Sequence, residues 1–169
     1  NGGGSTTEVA VGPDGAGIDG FDWRISMAVV AADGPFSGFP GIERTLSILD
    51  GAGLVLHGLD AGPVRLDRST PPFGFPADAA VSATLIDGPI TDLNVMVRRG
   101  RFRDRTRRLA GTGRVSVSAE GKTAFLLAER PCRVAIGDAA PVDLGRRDAL
   151  RLDDPAGRGL ILTADGAVE

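Results

Sequence analysis

The sequence predicts an all-β protein, and three observations support this. Turns must be frequent, because 25 glycines and 11 prolines occur among the 169 residues and both residue types interrupt regular structure. Many short segments alternate apolar and polar side chains, which is the period of a half-buried strand. No segment of helical length repeats its apolar residues every 3.6 positions. A chain of this length therefore fits one domain, or two very small ones fused together.

Composition and net charge limit the class of protein and the kinds of partner that it is expected to bind. Hydrophobic residues make up 42% and charged residues 24% of the chain, as in globular proteins, and no apolar run approaches the roughly 20 residues of a membrane helix. We therefore expect no membrane association. The net charge of −3 gives no general attraction to nucleic acid, which is not an expected partner. Cys132 is the only cysteine, so no internal disulfide forms, and the cytoplasm is the expected compartment.

The first predicted strand lies within residues 21–32, where apolar and polar side chains alternate. Its apolar residues fall on one face, and Arg24 and Ser26 fall on the other, so this strand presents a polar face. Residues 33–41 are too rich in glycine and proline for a regular element, yet they hold Phe36 and Phe39. We expect this segment to be a loop that folds back over its neighbours.

Shorter strands are predicted along the rest of the chain, separated by Asp-Gly, Gly-Pro and Pro-Pro turn signals. They are Thr45–Leu49, Gly53–His57, Val64–Leu66, Val81–Ile86, Ile90–Val97, Arg114–Ser118, Thr123–Leu127, Arg133–Ile136, Ala149–Leu152 and Gly159–Thr163. Such a series of short strands is typical of a barrel or a sandwich, in which few sheet edges stay exposed.

An internal repeat indicates duplication. A shift of 78 residues lays residues 44–88 over residues 122–166 without a gap, and nine of the 45 positions are identical, mainly around turns such as Pro63 and Pro141. A fixed period of about half the chain is expected for a duplicated unit. We therefore predict two related β-barrels or sandwiches within one unit of residues 1–169, with a first half at 18–105 and a second, degenerate half at 106–169.

Metal and nucleophilic chemistry are disfavoured by the residue inventory. A metal site in a small β-barrel needs several converging imidazoles, and His57 is the only histidine. A Ser-His-Asp or Cys-His device would also depend on His57. We predict no metal, no cofactor and no catalytic residue. One enzymatic alternative stays open, a metal-independent isomerase or hydrolase in which His57 acts as a general base with an acidic partner such as Asp78 or Asp92.

A run of arginines follows the last predicted strand of the first half. Seven arginines lie within the eleven residues Arg98–Arg108, and in an extended chain the odd positions from 99 to 107 would form one basic stripe. The stripe could contact phosphates or a partner protein, but the run lacks aromatic platforms and a recognition helix. We interpret it as a charged strand edge or as the link between halves, and keep an adaptor role as a third alternative.

Polar residues on the predicted strands match what a small carboxylate requires. The guanidinium of arginine presents a planar fork of donors to a carboxylate, and Arg24, Ser26, Arg44 and Asn94 supply arginine, hydroxyl and amide donors. The alternative is that Arg24 and Arg44 only pair with acidic residues inside a sheet.

Five segments together resemble the HutD/Ves family. They are Asn1-Gly2-Gly3-Gly4-x-Thr6-x-Glu8, Phe21-Asp22-Trp23-Arg24-Ile25-Ser26-Met27-Ala28, Gly34-Pro35-Phe36-Ser37-x-Phe39-Pro40-Gly41-x-Glu43-Arg44, Pro72-Phe73-x-Phe75 and Asp92-Leu93-Asn94-Val95-Met96-x-Arg98-Arg99-Gly100. The resemblance covers residues 1 to about 100 in order. It implies a bicupin, with two cupin-like jelly-roll barrels in one chain, and an association with bacterial histidine utilisation as a regulatory factor.

The leading hypothesis is a metal-free, non-enzymatic bicupin that binds a small anionic metabolite. By association with the pathway, the ligand is formylglutamate, urocanate or formate. Arginine would neutralise its carboxylate, the hydroxyl and amide would orient it, and apolar side chains would exclude water. The predicted ligand-binding residues are Arg24, Ser26, Phe36, Phe39, Arg44, Phe73, Asn94 and Met96. A homodimer is the default assembly.

Overall fold

The computed structural model describes residues 4–155 and 159–168. These residues form only strands and connecting turns and no helix, so the predicted all-β class is confirmed. The strands are β1 (Thr6–Gly12), β2 (Trp23–Val30), β3 (Gly34–Pro35), β4 (Ile42–Asp50), β5 (Leu54–His57), β6 (Val64–Leu66), β7 (Phe73–Pro76), β8 (Ser82–Leu85), β9 (Ile90–Arg98), β10 (Gly111–Ser118), β11 (Thr123–Leu127), β12 (Cys132–Ile136), β13 (Val142–Leu144), β14 (Ala149–Asp153) and β15 (Gly159–Val168).

The chain divides into two compact units, Asn1–Arg107 and Arg108–Glu169. In the first unit, one sheet has the strand order β1-β2-β9-β4-β7 and a second sheet has the order β3-β8-β5-β6. Neighbouring strands pair antiparallel in both sheets. The long strands β2, β9 and β4 therefore lie side by side in the middle of the larger sheet.

The hydrophobic core of the first unit is made by both of its sheets. Leu46 and Ile48 from β4 pack in one buried cluster with Leu54 and Leu56 from β5. Each of these strands presents alternate residues to the cluster, as the two-residue period requires. The residues that alternate with them along each strand therefore lie on the opposite face of the sheet.

The second unit repeats the strand pairing of part of the first. Its sheets have the orders β10-β15-β12-β13 and β11-β14. The first matches the order β3-β8-β5-β6, and the second matches the pairing of β4 with β7 in the five-stranded sheet, so β10 to β15 correspond in chain order to β3 to β8. The β5–β6 hairpin aligns Leu54 with Leu66, and the β12–β13 hairpin aligns Cys132 with Leu144. The same shift of 78 residues relates both pairs, so the sequence repeat is a repeat of hairpin register.

The strands that the sequence analysis did not predict all lie at the ends of sheets. They are β1, β3, β7 and β13. An edge strand is paired on one side only, so it tolerates proline, glycine and polar residues that a central strand does not. Phe73–Pro76 and Gly34–Pro35 contain such residues, and for this reason their sequences are not typical of strands.

We expect Gly53→Ala to destabilise the first unit by more than Gly62→Ala. Both glycines have positive φ angles, +104° and +89°, so alanine would strain either backbone by about 1–3 kcal/mol. At Gly53 a Cβ atom would also collide with the carbonyl oxygen of Leu66, whereas at Gly62 it would meet open space. Urea unfolding of the two variants measures the difference. Equal losses of unfolding free energy would contradict a close approach of the backbones at Gly53.

Candidate functional site

A cavity of about 490 Å³ opens in the first unit, against the face of β2, β9 and β4. The loop between β2 and β4 contributes Phe36, Ser37 and Phe39 to its walls. This segment, rich in glycine and proline, therefore does fold back over the strands, as the sequence predicts. The cavity is large enough for a small metabolite, since small-molecule sites commonly measure about 300–1,000 Å³.

The polar face of β2 lines this cavity. Arg24 and Ser26 alternate along the strand and both border the cavity, and the side chain of Ser26 is only 2% exposed. Arg24 donates from Nε to Oε2 of Glu8 at 2.8 Å and from Nη1 to Oγ of Ser26 at 3.4 Å. The polar face is therefore turned inward, and Glu8 and Ser26 hold the Arg24 guanidinium at the cavity.

Arg44 on β4 is a buried cation. It is 4% exposed, and its guanidinium carbon lies 5.0 Å from the ring centre of Phe36 and 5.5 Å from that of Phe39. Its Nη2 donates to the carbonyl oxygen of Ser37 at 3.0 Å, whereas its buried Nε has no hydrogen-bond partner. Burial lowers the pKa of Arg44 to about 10, which leaves the group charged at neutral pH.

Strand register sets the spacing of the two arginines. Met96 on β9 is the partner of Arg24 on one side and of Arg44 on the other. Because adjacent strands are roughly 4.8 Å apart, the backbones of the two arginines are separated by about 10 Å. Both side chains and Met96 border the same cavity, so two positive groups face one space across an apolar floor.

A buried carboxyl group, Asp92, completes the polar wall. Asp92 is 0% exposed and lies two residues before Asn94, so both side chains emerge on the cavity face of β9. Nδ2 of Asn94 donates to Oδ1 of Asp92 at 2.6 Å, whereas the buried Oδ2 has no partner. Burial raises the pKa of Asp92 to about 7, against the opposing attraction of Arg44.

Asp92 was missed as a cavity residue, because the sequence analysis considered it only as a partner for His57. The signal was nevertheless available. Asp92, Asn94 and Met96 occupy alternate positions of one strand, so the prediction that two of them line a site already placed the third on the same face.

The structure brings seven of the eight predicted ligand-binding residues to the cavity. They are Arg24, Ser26, Phe36, Phe39, Arg44, Asn94 and Met96. The exception is Phe73, which packs against the hydrophobic core with its ring centre 6.2 Å from that of Phe75. Phe73 and Phe75 lie two residues apart on β7 and therefore share one face of the strand. Both side chains pack in the hydrophobic core of the first unit.

His57 does not border the cavity. It ends β5, and its Nε2 lies 3.2 Å from Oγ1 of Thr84 on the neighbouring strand β8. Asp78 is engaged elsewhere, since it accepts hydrogen bonds from Arg99 at 3.1 and 3.2 Å. The acid–base set of His57 with Asp78 or Asp92 is therefore not assembled at the cavity.

The run of arginines keeps the exposed odd positions that its spacing predicts. Residues 99, 101, 103, 105 and 107 are all exposed, whereas Asp104, Thr106 and Arg108 are half-buried. Strand β9 ends at Arg98, and residues 99–110 lie outside the strands. Several of its members form ion pairs: Arg98 and Arg101 with Asp22, Arg99 with Glu43 and Asp78, and Arg108 with Glu129. These pairs anchor the run to the units that it joins, which fits the interpretation of a link more than that of a charged edge.

Residues 4–155 and 159–168 hold no group of three or more His, Cys, Asp or Glu side chains placed to share a metal ion. Within the same residues, no helix is long and apolar enough to cross a membrane.

Comparison with known proteins assigns the family. A sequence model described as HutD matches residues 1–169. The chain belongs to the HutD family. The predicted HutD/Ves membership is thus confirmed, and the match extends beyond residue 100, where the resemblance seen in the sequence motifs ends.

Relatives of this HutD-family chain agree with the assignment. It is 35% identical over 153 residues to an uncharacterised 21.2 kDa protein of the hutC 3′ region from Pseudomonas putida, covering 90% of this chain and 79% of that one. It is 41% identical over 108 residues to protein Ves from Citrobacter koseri, covering 63% and 55%. The structure of HutD from Pseudomonas fluorescens SBW25 superposes with a TM-score of 0.77 at 32% identity, covering 98% and 85%.

Proposed function

We propose that this HutD-family protein binds a small carboxylate in the cavity of the first unit and acts through that binding as a non-enzymatic regulator of histidine utilisation. The observation that carries the proposal is Arg44, a buried guanidinium at the cavity whose Nε has no hydrogen-bond partner. An unsatisfied buried donor is costly. A ligand carboxylate that accepts from this side chain would offset the cost and neutralise the charge.

The other cavity residues suit the same ligand. Arg24 places a second positive group on the neighbouring side of Met96, and Asn94 and Ser26 can orient an anion through hydrogen bonds. Phe36 and Phe39 cover Arg44, and in a space with little water a charge-assisted hydrogen bond is stronger than at an exposed surface.

The pathway comes from the family and its relatives. One relative is named for the hutC 3′ region, and a solved relative is HutD in a formate condition. We therefore propose formylglutamate, urocanate or formate as the ligand class. Formate alone is small enough to contact one arginine and would leave most of the cavity of about 490 Å³ unfilled. The larger two could contact both arginines, whose backbones are about 10 Å apart.

The remaining parts of the proposal concern architecture and context. We propose that the two units are cupin-like barrels of a bicupin, since β10 to β15 repeat the pairing of β3 to β8. We also propose that the protein acts in the cytoplasm as a homodimer and has neither a membrane nor a nucleic acid as a partner. The enzymatic alternative gains no support, because His57 lies away from the cavity lining.

Calorimetric titration of the purified protein tests the ligand class. We expect saturable binding of formylglutamate or urocanate, and a loss of affinity of roughly tenfold or more in Arg24→Gln, because hydrogen bonds to charged groups contribute about 1.5–3 kcal/mol. Arg65→Gln is the matched control, since Arg65 is an exposed arginine paired with Asp67 and lies outside the cavity lining.

Two results would overturn the proposal. The first is that none of the three carboxylates binds to folded protein. The second is that Arg24→Gln and Arg44→Met both bind the carboxylates as well as the wild type does. Retained turnover of any candidate ligand in a His57→Ala variant would instead identify an enzyme that does not use this histidine.

A further inference from the structure

Asp92 poses a chemical difficulty for a site that binds anions. Its carboxyl group borders the cavity and is completely buried, and one of its oxygens, Oδ2, has no hydrogen-bond partner. A carboxylate ligand drawn to Arg44 enters a space that already holds this acidic group. Two like charges in a space of low dielectric repel strongly.

Two arrangements would relieve that repulsion. Asp92 could take up a proton, or the ligand could present a donor to Oδ2 and so satisfy the ionised carboxylate. Burial favours the first, but the positive charge of Arg44 favours the ionised form. A ligand with its own donor leaves Asp92 ionised at neutral pH and adds a charge-assisted hydrogen bond.

The hydrogen-bond network fixes which atom is available. Oδ1 of Asp92 accepts from Nδ2 of Asn94 at 2.6 Å, so this oxygen is already engaged. Charged groups at the cavity besides Asp92 are Arg44, Arg24 and Asp33. Asp33 accepts from the backbone N–H of Leu85 at 2.7 Å, which leaves Oδ2 of Asp92 as the buried acceptor at the cavity that lacks a partner.

We propose that Asp92 makes the cavity selective for carboxylates that also carry an N–H or O–H group, which donates to Oδ2 while the arginines hold the carboxylate. The inference rests on the proposed carboxylate binding and narrows its substrate class. N-acyl amino acids, imidazole-bearing acids and hydroxy acids have such a donor. Unsubstituted alkanoates and unsubstituted dicarboxylates such as glutarate do not.

A pair of ligands that differ only in the donor tests the inference. N-formylglutamate and its N-methylated derivative carry the same carboxylates, but methylation removes the amide N–H. Glutarate serves as a third probe without any nitrogen. We expect calorimetry at pH 8 to show the N–H compound binding at least roughly tenfold more tightly than either analogue, because the missing donor leaves a buried carboxylate unsatisfied.

Asp92→Asn separates the hydrogen bond from the added bulk of the methyl group. In this variant the side-chain oxygen at position 92 still accepts from Asn94. The –NH₂ group introduced at position 92 then takes the place of Oδ2 and presents a donor to the cavity instead of an acceptor. We therefore expect the preference for the N–H compound to fall to within threefold in this variant. Circular dichroism and thermal unfolding would check that the variant is folded.

The outcomes are distinct. Equal affinity of the wild type for all three compounds would overturn the selectivity while leaving the proposed carboxylate site intact. A preference that persists in Asp92→Asn would assign it to the bulk of the methyl group and overturn the role of Asp92. Absence of binding by every compound, with the wild type folded, would overturn both the proposed function and this inference.

Discussion

Arg44→Met is expected to weaken carboxylate binding by at least roughly tenfold at pH 6 without lowering the free energy of unfolding. The loss of binding follows from the loss of a buried cation, since each hydrogen bond to a charged group contributes about 1.5–3 kcal/mol. The preserved stability follows from what surrounds Arg44, whose guanidinium lies within 6 Å of the ring centres of Phe36, Phe39 and Phe75. A methionine of similar volume occupies most of the space between these rings.

The charge itself costs the unliganded protein stability. The Nε of Arg44 is buried without a partner, and replacing buried charges by apolar side chains of similar volume is often neutral or stabilising by about 1–4 kcal/mol. At pH 6 Asp92 is mainly protonated, because its pKa is raised to about 7. Removing the charge of Arg44 therefore leaves no uncompensated carboxylate behind.

Urea unfolding and calorimetric titration of the same preparations would check both parts. Arg44→Ala is the matched control, because it removes the same charge but also the packing volume, and we expect it to lose both affinity and stability. Wild-type affinity in Arg44→Met would remove Arg44 from the site. A loss of unfolding free energy in that variant as large as in Arg44→Ala would show that the charge stabilises the fold.

The second large effect concerns pH and Asp92. The pKa of Asp92 is about 7 in the folded protein, compared with an ordinary value of 3.8. Between these values the folded state binds one proton more than the unfolded state, so the stability that Asp92 contributes at low pH is lost as the pH rises through about 7. Relative to Asp92→Asn, the wild type should lose on the order of 2–3 kcal/mol of unfolding free energy between pH 5 and pH 8.

Chemical denaturation at several pH values measures this difference. Asp67→Asn is the control, because hydrogen bonds from Ser69 lower the pKa of Asp67 to about 2. That group is ionised in both states above pH 5, so its replacement should not alter the slope between pH 5 and pH 8. A wild type that runs parallel to Asp92→Asn over this range would contradict a buried, neutral Asp92.

Segments with a clear apolar pattern were the predictable part of the fold. Val64–Leu66 and Thr123–Leu127 were predicted with the bounds that the structure has, and Ile90–Val97 with one residue fewer. These segments alternate clearly or are continuously apolar, because they are packed in the core. Of the strands that were missed, β1, β3 and β7 contain glycine or proline, which an edge strand tolerates because one of its sides needs no partner strand.

The candidate site was predictable along each strand but not across strands. Alternation alone puts Arg24 with Ser26, and Asn94 with Met96, on common faces. The register that places Met96 between Arg24 and Arg44 depends on pairing between residues that are far apart in sequence. Phe73 shows the same limit, because its sequence does not tell whether its face of β7 meets the cavity or the core.

The duplication of the fold does not duplicate the site. Strands β10 to β15 of the second unit correspond to β3 to β8, whereas Arg24, Ser26, Asp92 and Asn94 come from β2 and β9, which that correspondence leaves out. The shift of 78 residues that aligns the two hairpins sets Arg44 opposite Lys122. Because the proposed site is built by strands of the first unit, we expect calorimetry to give a stoichiometry of one ligand per chain. A single chain would then give a hyperbolic binding curve, and a sigmoidal curve would indicate coupling between sites on different chains.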